Sequence, residues 1–225
     1  MDSMNPALKI DIVSDVVCPW CFVGKRHLER ALGRYRDRHP DAPAPHVRWH
    51  PFQLNPALPA GGMPRGEYLA RKFGGPERAR EIYARVEAAG RNAGIRFAFD
   101  RIAMQPNTTD AHRLIHRAED FGVQDAMVES LFAGYFLEGL DLTRPDTLAG
   151  LAARAGLPRD EVAEYLATDL DRDLIASRDE HARNIGIEGV PFFIFNQRLS
   201  VAGAQPPDVL LETMEQAEAQ SAQPA

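Results

Sequence analysis

The sequence predicts an α/β protein in which a β-α-β segment and a β-β-α segment are separated by a long helical block. Three observations predict it. "LKIDIV" (8–13) alternates apolar and polar residues and is rich in β-branched ones, the mark of a half-buried strand. From about Pro64 to Gly186 the apolar spacing is helical throughout. Strand character then returns in "GVPFFIFNQRLSVAGA".

Each element has its own signal. After the first strand, "SDVVCPW" leads into a helix whose apolar stripe is Phe22, Leu28, Ala31, Leu32 and Tyr35, ending at "DRHPDAPAP". "HVRWHPFQL" (46–54) alternates again and predicts a second strand, followed by the Pro- and Gly-rich "NPALPAGGMPRG". In the helical block, "TTDAHRLIHRAEDFG" has threonine caps and an apolar face of Ala111, Leu114, Ile115 and Ala118. "QDAMVESLFAGYFLEG", "RPDTLAGLAARAGLP" and "PRDEVAEYLATD" read as successive short helices, and 172–185 as a more polar one. Phe192 to Phe195 and Leu199 to Ala202 are short strands with "NQR" as their hairpin turn. "QPPDVLLETMEQAEAQ" closes the chain as a helix, with Pro207 and Asp208 in its first turn, and the tail "SAQPA" reads as disordered. Residues 7–62 and 187–220 would share one small mixed sheet, with 63–186 as an insertion.

The totals narrow the function. A chain of 225 residues, 44% hydrophobic and 26% charged, has the balance of a soluble globular protein. Its net charge is −6 and it has no long basic run, so no stripe for neutralising phosphates is evident and no nucleic-acid partner is expected. No run of eighteen apolar residues and no signal-peptide pattern is present, so no membrane association and a cytoplasmic location are expected. In a reducing compartment a cysteine pair is more often catalytic, redox-sensing or metal-binding than a structural staple.

Both cysteines lie in "CPWC", Cys18 and Cys21. Thiol–disulfide exchange needs a thiolate, and Cys18 is expected at the start of the first helix, with Pro19 at the first helical position. The unsatisfied amides and positive dipole end there would favour an anionic sulfur. Such sites lower a thiol from about 8.5 to between roughly 3.5 and 7.5. Cys21, one turn on, is placed to resolve a mixed disulfide and is expected to be more buried. A zinc site would need about two further ligands, and the chain has no third cysteine. His112 and His116 could supply them but lack the His-Glu-X-X-His arrangement, so no metal is assigned. In "GVPFF", a cis Val190–Pro191 bond would turn the chain beside the helix start and leave the Val190 backbone open to an extended substrate.

"CPWC" after a first strand, a helical insertion, then "GVPFFIFNQRLSVAGAQ" before a last helix resembles the DsbA-like group of thioredoxin-fold oxidoreductases, and within it the FrnE-like cytoplasmic branch. The resemblance covers roughly residues 8 to 218. It implies a thioredoxin-like fold with an all-helical lid, Cys18 as nucleophile, Cys21 as resolving thiol and Pro191 as the cis-proline facing them. It also implies, from "PNTTDAHRL", that Asn107, Thr108 and His112 look down on the cysteines from the lid; read without the family, that segment is a helix N-cap. Many thioredoxin-like proteins carry a buried acid six residues before the first cysteine, where this chain has Ile12. Asp15 is therefore a better candidate for the proton acceptor than Asp11, or else a turn residue. Trp20 is read as an exposed apolar surface for a peptide substrate, extended by "FVG" after the motif.

The function expected is a thiol–disulfide oxidoreductase or disulfide isomerase acting on protein or peptide thiols and disulfides. Its redox group would be its own disulfide, with no separate cofactor and glutathione as a co-substrate option, in a monomer or homodimer. The alternatives are a glutathione-dependent isomerase or transferase of the kappa-class or hydroxychromene-carboxylate isomerase type, and a non-catalytic metal- or partner-binding module. The isomerase group typically has Ser where Cys18 stands, so two intact cysteines favour dithiol chemistry.

Overall fold

In the computed structural model, residues 7–221 are described. The sheet has four strands, β1 (Lys9–Ser14), β2 (His46–Pro51), β5 (Phe192–Phe195) and β6 (Leu199–Ala202), in the order β2-β1-β5-β6. β1 runs parallel to β2 and antiparallel to β5, and β5 runs antiparallel to β6. Two parts of the chain about 180 residues apart are thus joined through one hydrogen-bonded ladder. The turn between β5 and β6 has Asn196 and Gln197 at positive φ, 48° and 58°, the handedness that suits a tight hairpin. Asn196 also accepts from the Lys9 amide at 2.8 Å, which fastens the hairpin to the start of β1.

One face of the sheet is mostly apolar, with Ser14 at the end of β1 its buried polar residue. Ile10 and Ile12 lie opposite Phe195 and Phe193, and all four are buried. Against this face pack α1 (Pro19–Arg38), through Phe22, Leu28, Ala31 and Tyr35, and α9 (Pro207–Ser221), through Leu210, Leu211, Met214 and Ala217. The other face carries Val13, which meets Phe52, Ala182 and Ile187. Asp11 is on that second face, where its carboxylate meets the His50 ring at 2.7 Å.

Between β2 and β5 lie α2 (Arg65–Phe73), α3 (Pro76–Ala93), α4 (Thr109–Asp120), α5 (Gln124–Phe136), α6 (Pro145–Arg154), α7 (Arg159–Leu166) and α8 (Arg172–Asn184). The block is not helical throughout, as its apolar spacing predicts. Two short strands, β3 (Met63–Pro64) and β4 (Met104–Gln105), pair within it, and the irregular chain between α3 and α4 carries β4 and a 3-10 turn, Phe99–Arg101. Gly94, at φ 84°, ends α3, and its amide bonds back to Arg91, so the helix stops whatever the spacing beyond it.

The block is seated on α1 by apolar and charged contacts together. Phe22 stacks on Phe132 of α5 at 5.0 Å and both rings are buried, worth about 1.5–3 kcal/mol each. Lys25, also buried, meets Asp125 at 3.1 Å and Glu129 at 3.2 Å across the same contact, and Glu29 on its own helix. Burial works against the Lys25 charge, yet Asp125, Glu29 and Glu129 together hold the ammonium above its usual range. Two local expectations are corrected here. Phe22, Val23 and Gly24 do not extend an exposed patch; they are buried because α1 turns that side onto the sheet and α5. Thr108, at the N-cap of α4, makes no capping bond; Asn107 does so one residue earlier, its oxygen accepting from the Thr109 amide at 3.0 Å. The expected disordered tail lies, from residue 222 on, outside the described residues.

Candidate active site

Cys18 is the N-cap of α1, with extended backbone at φ −92°, ψ 110°, and Pro19 follows inside the helix, where its missing amide removes nothing. The turn from β1 is closed by the Cys18 amide donating to the Asp15 carbonyl at 3.0 Å. The Cys18 carbonyl in turn accepts from the amides of Cys21, at 3.0 Å, and Phe22, at 3.4 Å. The expected bond from the helix amides to the Cys18 sulfur is not made. Both cysteines are free thiols, and a thiol carries a proton that needs an acceptor. The Cys18 sulfur donates it to the Val190 carbonyl at 3.5 Å, 172 residues away in the chain.

Cys21 lies one turn on, and both cysteines are buried. Burial, followed by the Cys18 sulfur beside it, pushes the Cys21 thiol well above its usual range, against the weaker pull of the Ser14 hydroxyl and the Asp15 backbone. Cys21 is therefore held as a protonated thiol and needs a base before it can attack. Ser14, at the end of β1, carried no sequence signal for this position.

The peptide bond between Val190 and Pro191 is cis, as "GVPFF" predicts, and Pro191 is buried against α1. That approach depends on Gly24, where a Cβ would come within 2.9 Å of the Pro191 ring and 3.2 Å of the Phe193 ring. Val190 is half-buried, and among the described residues its amide has no backbone partner. Trp20, between the cysteines, is 39% exposed, unusual for so large an apolar side chain.

The remaining predicted residues divide. Asp15 is fully buried; one carboxylate oxygen accepts from the Leu54 amide at 2.8 Å. The other lies 3.3 Å from His112 Nε2, poorly aligned, so both atoms are buried without a hydrogen-bond partner. This brings a residue of α4 to the turn that carries the cysteines. Asn107 and Thr108 are occupied elsewhere: Asn107 donates to the Leu58 carbonyl at 2.7 Å, and both accept weakly from Gln53, at 3.4 and 3.5 Å. Gln53 is itself held by its amide donating to Asp179 at 2.7 Å. His116 diverges from His112 and meets Arg178 at 3.2 Å. Among the described residues no group of three or more His, Cys, Asp or Glu could hold a metal.

Beside the site, Leu54, Asn55, Leu58, Met63, Tyr68 and Lys72 line a cleft of about 590 Å³ between the chain after β2 and helix α2. Next to it, the buried Arg65 bonds to buried Gln105 and Tyr135 and to the half-buried Tyr83. Sequence reasoning missed all of these, because a Tyr or Arg on a helix has many uses and only packing selects one. Among the described residues no helix is long and apolar enough to cross a membrane.

Comparison with known proteins agrees with this geometry. The family description "DSBA-like thioredoxin domain" matches residues 9–215. A probable DsbA oxidoreductase from Streptomyces coelicolor is 30% identical, with a TM-score of 0.86 over 97% of this chain and 92% of that one. A 2-hydroxychromene-2-carboxylate isomerase (14% identical, TM-score 0.67, 95% and 98% covered) shares the fold. So does the cytosolic disulfide reductase DsbM from Pseudomonas aeruginosa, solved with GSH (19% identical, TM-score 0.59, 94% and 96% covered). With a helix-capping Cys-Pro-Trp-Cys facing a cis-proline and the family description spanning nearly the whole chain, this protein belongs to the DSBA-like thioredoxin family of oxidoreductases.

Proposed function

We propose that the chain is a thiol–disulfide oxidoreductase for protein or peptide substrates, with Cys18 as nucleophile and Cys21 as resolving thiol. One observation carries this reading: two free cysteines, the first at a helix N-terminus beside the Val190 carbonyl, the second a turn behind it and held protonated. In the first step the Cys18 thiolate attacks one sulfur of a substrate disulfide. A Cys18–substrate S–S bond forms, the substrate's own S–S bond breaks, and its electron pair leaves on the other sulfur. In the second step Cys21 gives its proton to Asp15 and attacks the Cys18 sulfur. The Cys18–Cys21 disulfide forms and the second substrate sulfur departs. The substrate gains two electrons and the dithiol loses two; starting from the disulfide form, the same steps reverse.

The open Val190 amide suits pairing with an extended peptide, and the exposed Trp20 suits its side chains. Pro191 shapes that wall of the site, and Pro19 starts the helix under Cys18. Glutathione is the proposed small-molecule electron donor, and no separate cofactor is needed. The cytoplasm is the proposed location, with 7–62 and 187–220 as the thioredoxin-like part and 63–186 as the lid. The two cysteines favour this chemistry over the glutathione-dependent isomerase, for which Cys21 would have no role.

The roles are tested by trapping. Cys21→Ser should accumulate a mixed disulfide with a peptide substrate, and mass spectrometry of digests should place it on Cys18. An adduct on another residue, or none, would exchange or remove the assigned roles. For Asp15, the Asp15→Asn variant should form the mixed disulfide at the normal rate but resolve it about 100-fold more slowly in single-turnover experiments. Resolution at the wild-type rate would show that Cys21 passes its proton elsewhere.

A further inference from the structure

Asp15 and His112 form a buried pair that lacks a hydrogen bond. Asp15 is fully buried and His112 is 3% exposed. Asp15 Oδ1 lies 3.3 Å from His112 Nε2, and neither atom has a hydrogen-bond partner. Among the described residues no lysine or arginine lies within 4 Å of that carboxylate. Asp179, the other buried carboxylate among them, has Arg183 at 3.1 Å. Buried polar atoms left unmet are costly, and one proton placed between Oδ1 and Nε2 would meet both. A slack contact of this kind tightens as the proton moves.

Two consecutive residues after β2 hold the partners in place. The Leu54 amide donates to Asp15 Oδ2 at 2.8 Å. The Gln53 side chain donates to the Thr109 hydroxyl at 3.0 Å, in the turn of α4 that carries His112. Asp15 also belongs to the turn that carries the cysteines, where its carbonyl accepts from the Cys18 amide at 3.0 Å. The Cys21 sulfur in turn meets the Ser14 hydroxyl and the Asp15 backbone. His112 is therefore one contact away from the turn whose second thiol must lose a proton.

We propose that His112 accepts from Asp15 the proton that Cys21 gives up as it resolves the mixed disulfide. The inference rests on the dithiol reading above and on Asp15 as the first acceptor. Cys21 attacks with the electron pair its proton leaves behind; the Cys18–Cys21 bond forms, the Cys18–substrate bond breaks, and that electron pair leaves on the substrate sulfur. The proton passes to the carboxylate and on to Nε2. An imidazolium then faces an ionised Asp15, so neither buried charge is left unpaired. Solvent takes the proton after the product has gone, and in the reverse direction the pair returns one to Cys21. His112 reaches the sulfur only through Asp15 and is a positioning residue.

The test is the single-turnover reaction of the reduced protein with a peptide disulfide, with formation and resolution of the mixed disulfide timed separately. His112→Phe keeps a ring of similar size, and His112→Gln keeps a polar group that cannot take up a proton. Each should slow resolution about 10- to 100-fold and leave formation at the wild-type rate. In the Asp15→Asn background His112→Phe should add nothing, because the two residues act in one relay. Infrared difference spectra should show a protonated carboxyl band during resolution in His112→Phe and none in the wild type. Wild-type resolution in either His112 variant, equal slowing of both steps, slowing that adds to that of Asp15→Asn, or a carboxyl band in the wild type would each overturn the proposal. Asp15→Asn resolving at the wild-type rate would instead remove Asp15 as the acceptor, and absence of any mixed disulfide would remove the dithiol reading.

Discussion

Replacing Cys18 with serine should abolish disulfide exchange, with turnover of a peptide disulfide falling about 1000-fold or more. The size follows from the chemistry. A hydroxyl at the N-cap of α1 can neither form the mixed disulfide nor serve as the sulfur that Cys21 attacks, so both half-reactions stop at once. Stability should change little, because the Cys18 side chain bonds to the Val190 carbonyl at 3.5 Å and lies beside the Cys21 thiol, and a serine hydroxyl can still approach both. Circular dichroism would confirm the fold, and a coupled assay of disulfide reduction would give the rate. A variant that keeps more than a tenth of wild-type turnover would remove Cys18 from the role of nucleophile.

The largest expected loss of stability lies away from the cysteines. Arg113 on α4 is fully buried and bonds to the carbonyls of Tyr165 (2.9 Å), Thr168 (2.8 Å) and Leu170 (2.7 Å), and to Asp110 (2.8 Å). Its guanidinium also lies 4.5 Å from the centre of the Tyr165 ring. One planar group thus closes the turn between α7 and α8 onto α4. Arg113→Met keeps much of the volume but removes the guanidinium from all three carbonyls and leaves Asp110 with Arg172 alone as its cationic partner among the described residues. We expect a loss of about 3–5 kcal/mol, a large part of the stability of an ordinary domain. Urea unfolding should show a lower midpoint at an unchanged slope. A loss below about 1 kcal/mol would mean that water replaces the guanidinium at all three carbonyls.

Much of the fold was legible because its signals are local. β1, β5 and β6 announce themselves by alternation and short apolar runs, and the hairpin by Asn196 and Gln197. The same locality misled in two places. The helical spacing after Pro64 concealed β3 and β4, whose two-residue pairing leaves no periodicity to detect. Phe22 and Val23 looked free to meet a substrate, but a residue just after an active motif still sits on whichever helix face meets the core. The carboxylates show both sides: Asp15 and Asp11 are four residues apart with similar neighbours, yet Asp15 points to His112 and Asp11 to His50 on the other face.

The sequence by itself determined the dithiol, its place at the head of a helix, and the proline that would stand opposite. Each depends on residues no more than a few positions apart, whose geometry the backbone dictates. Only the tertiary structure decided what surrounds the sulfurs: the Val190 carbonyl on Cys18 and, at the turn that carries them, His112 against Asp15. These contacts join segments tens to hundreds of residues apart. They exist because burying the apolar faces of α1, α4 and α5 together brings those segments into register, and no spacing along the chain encodes that.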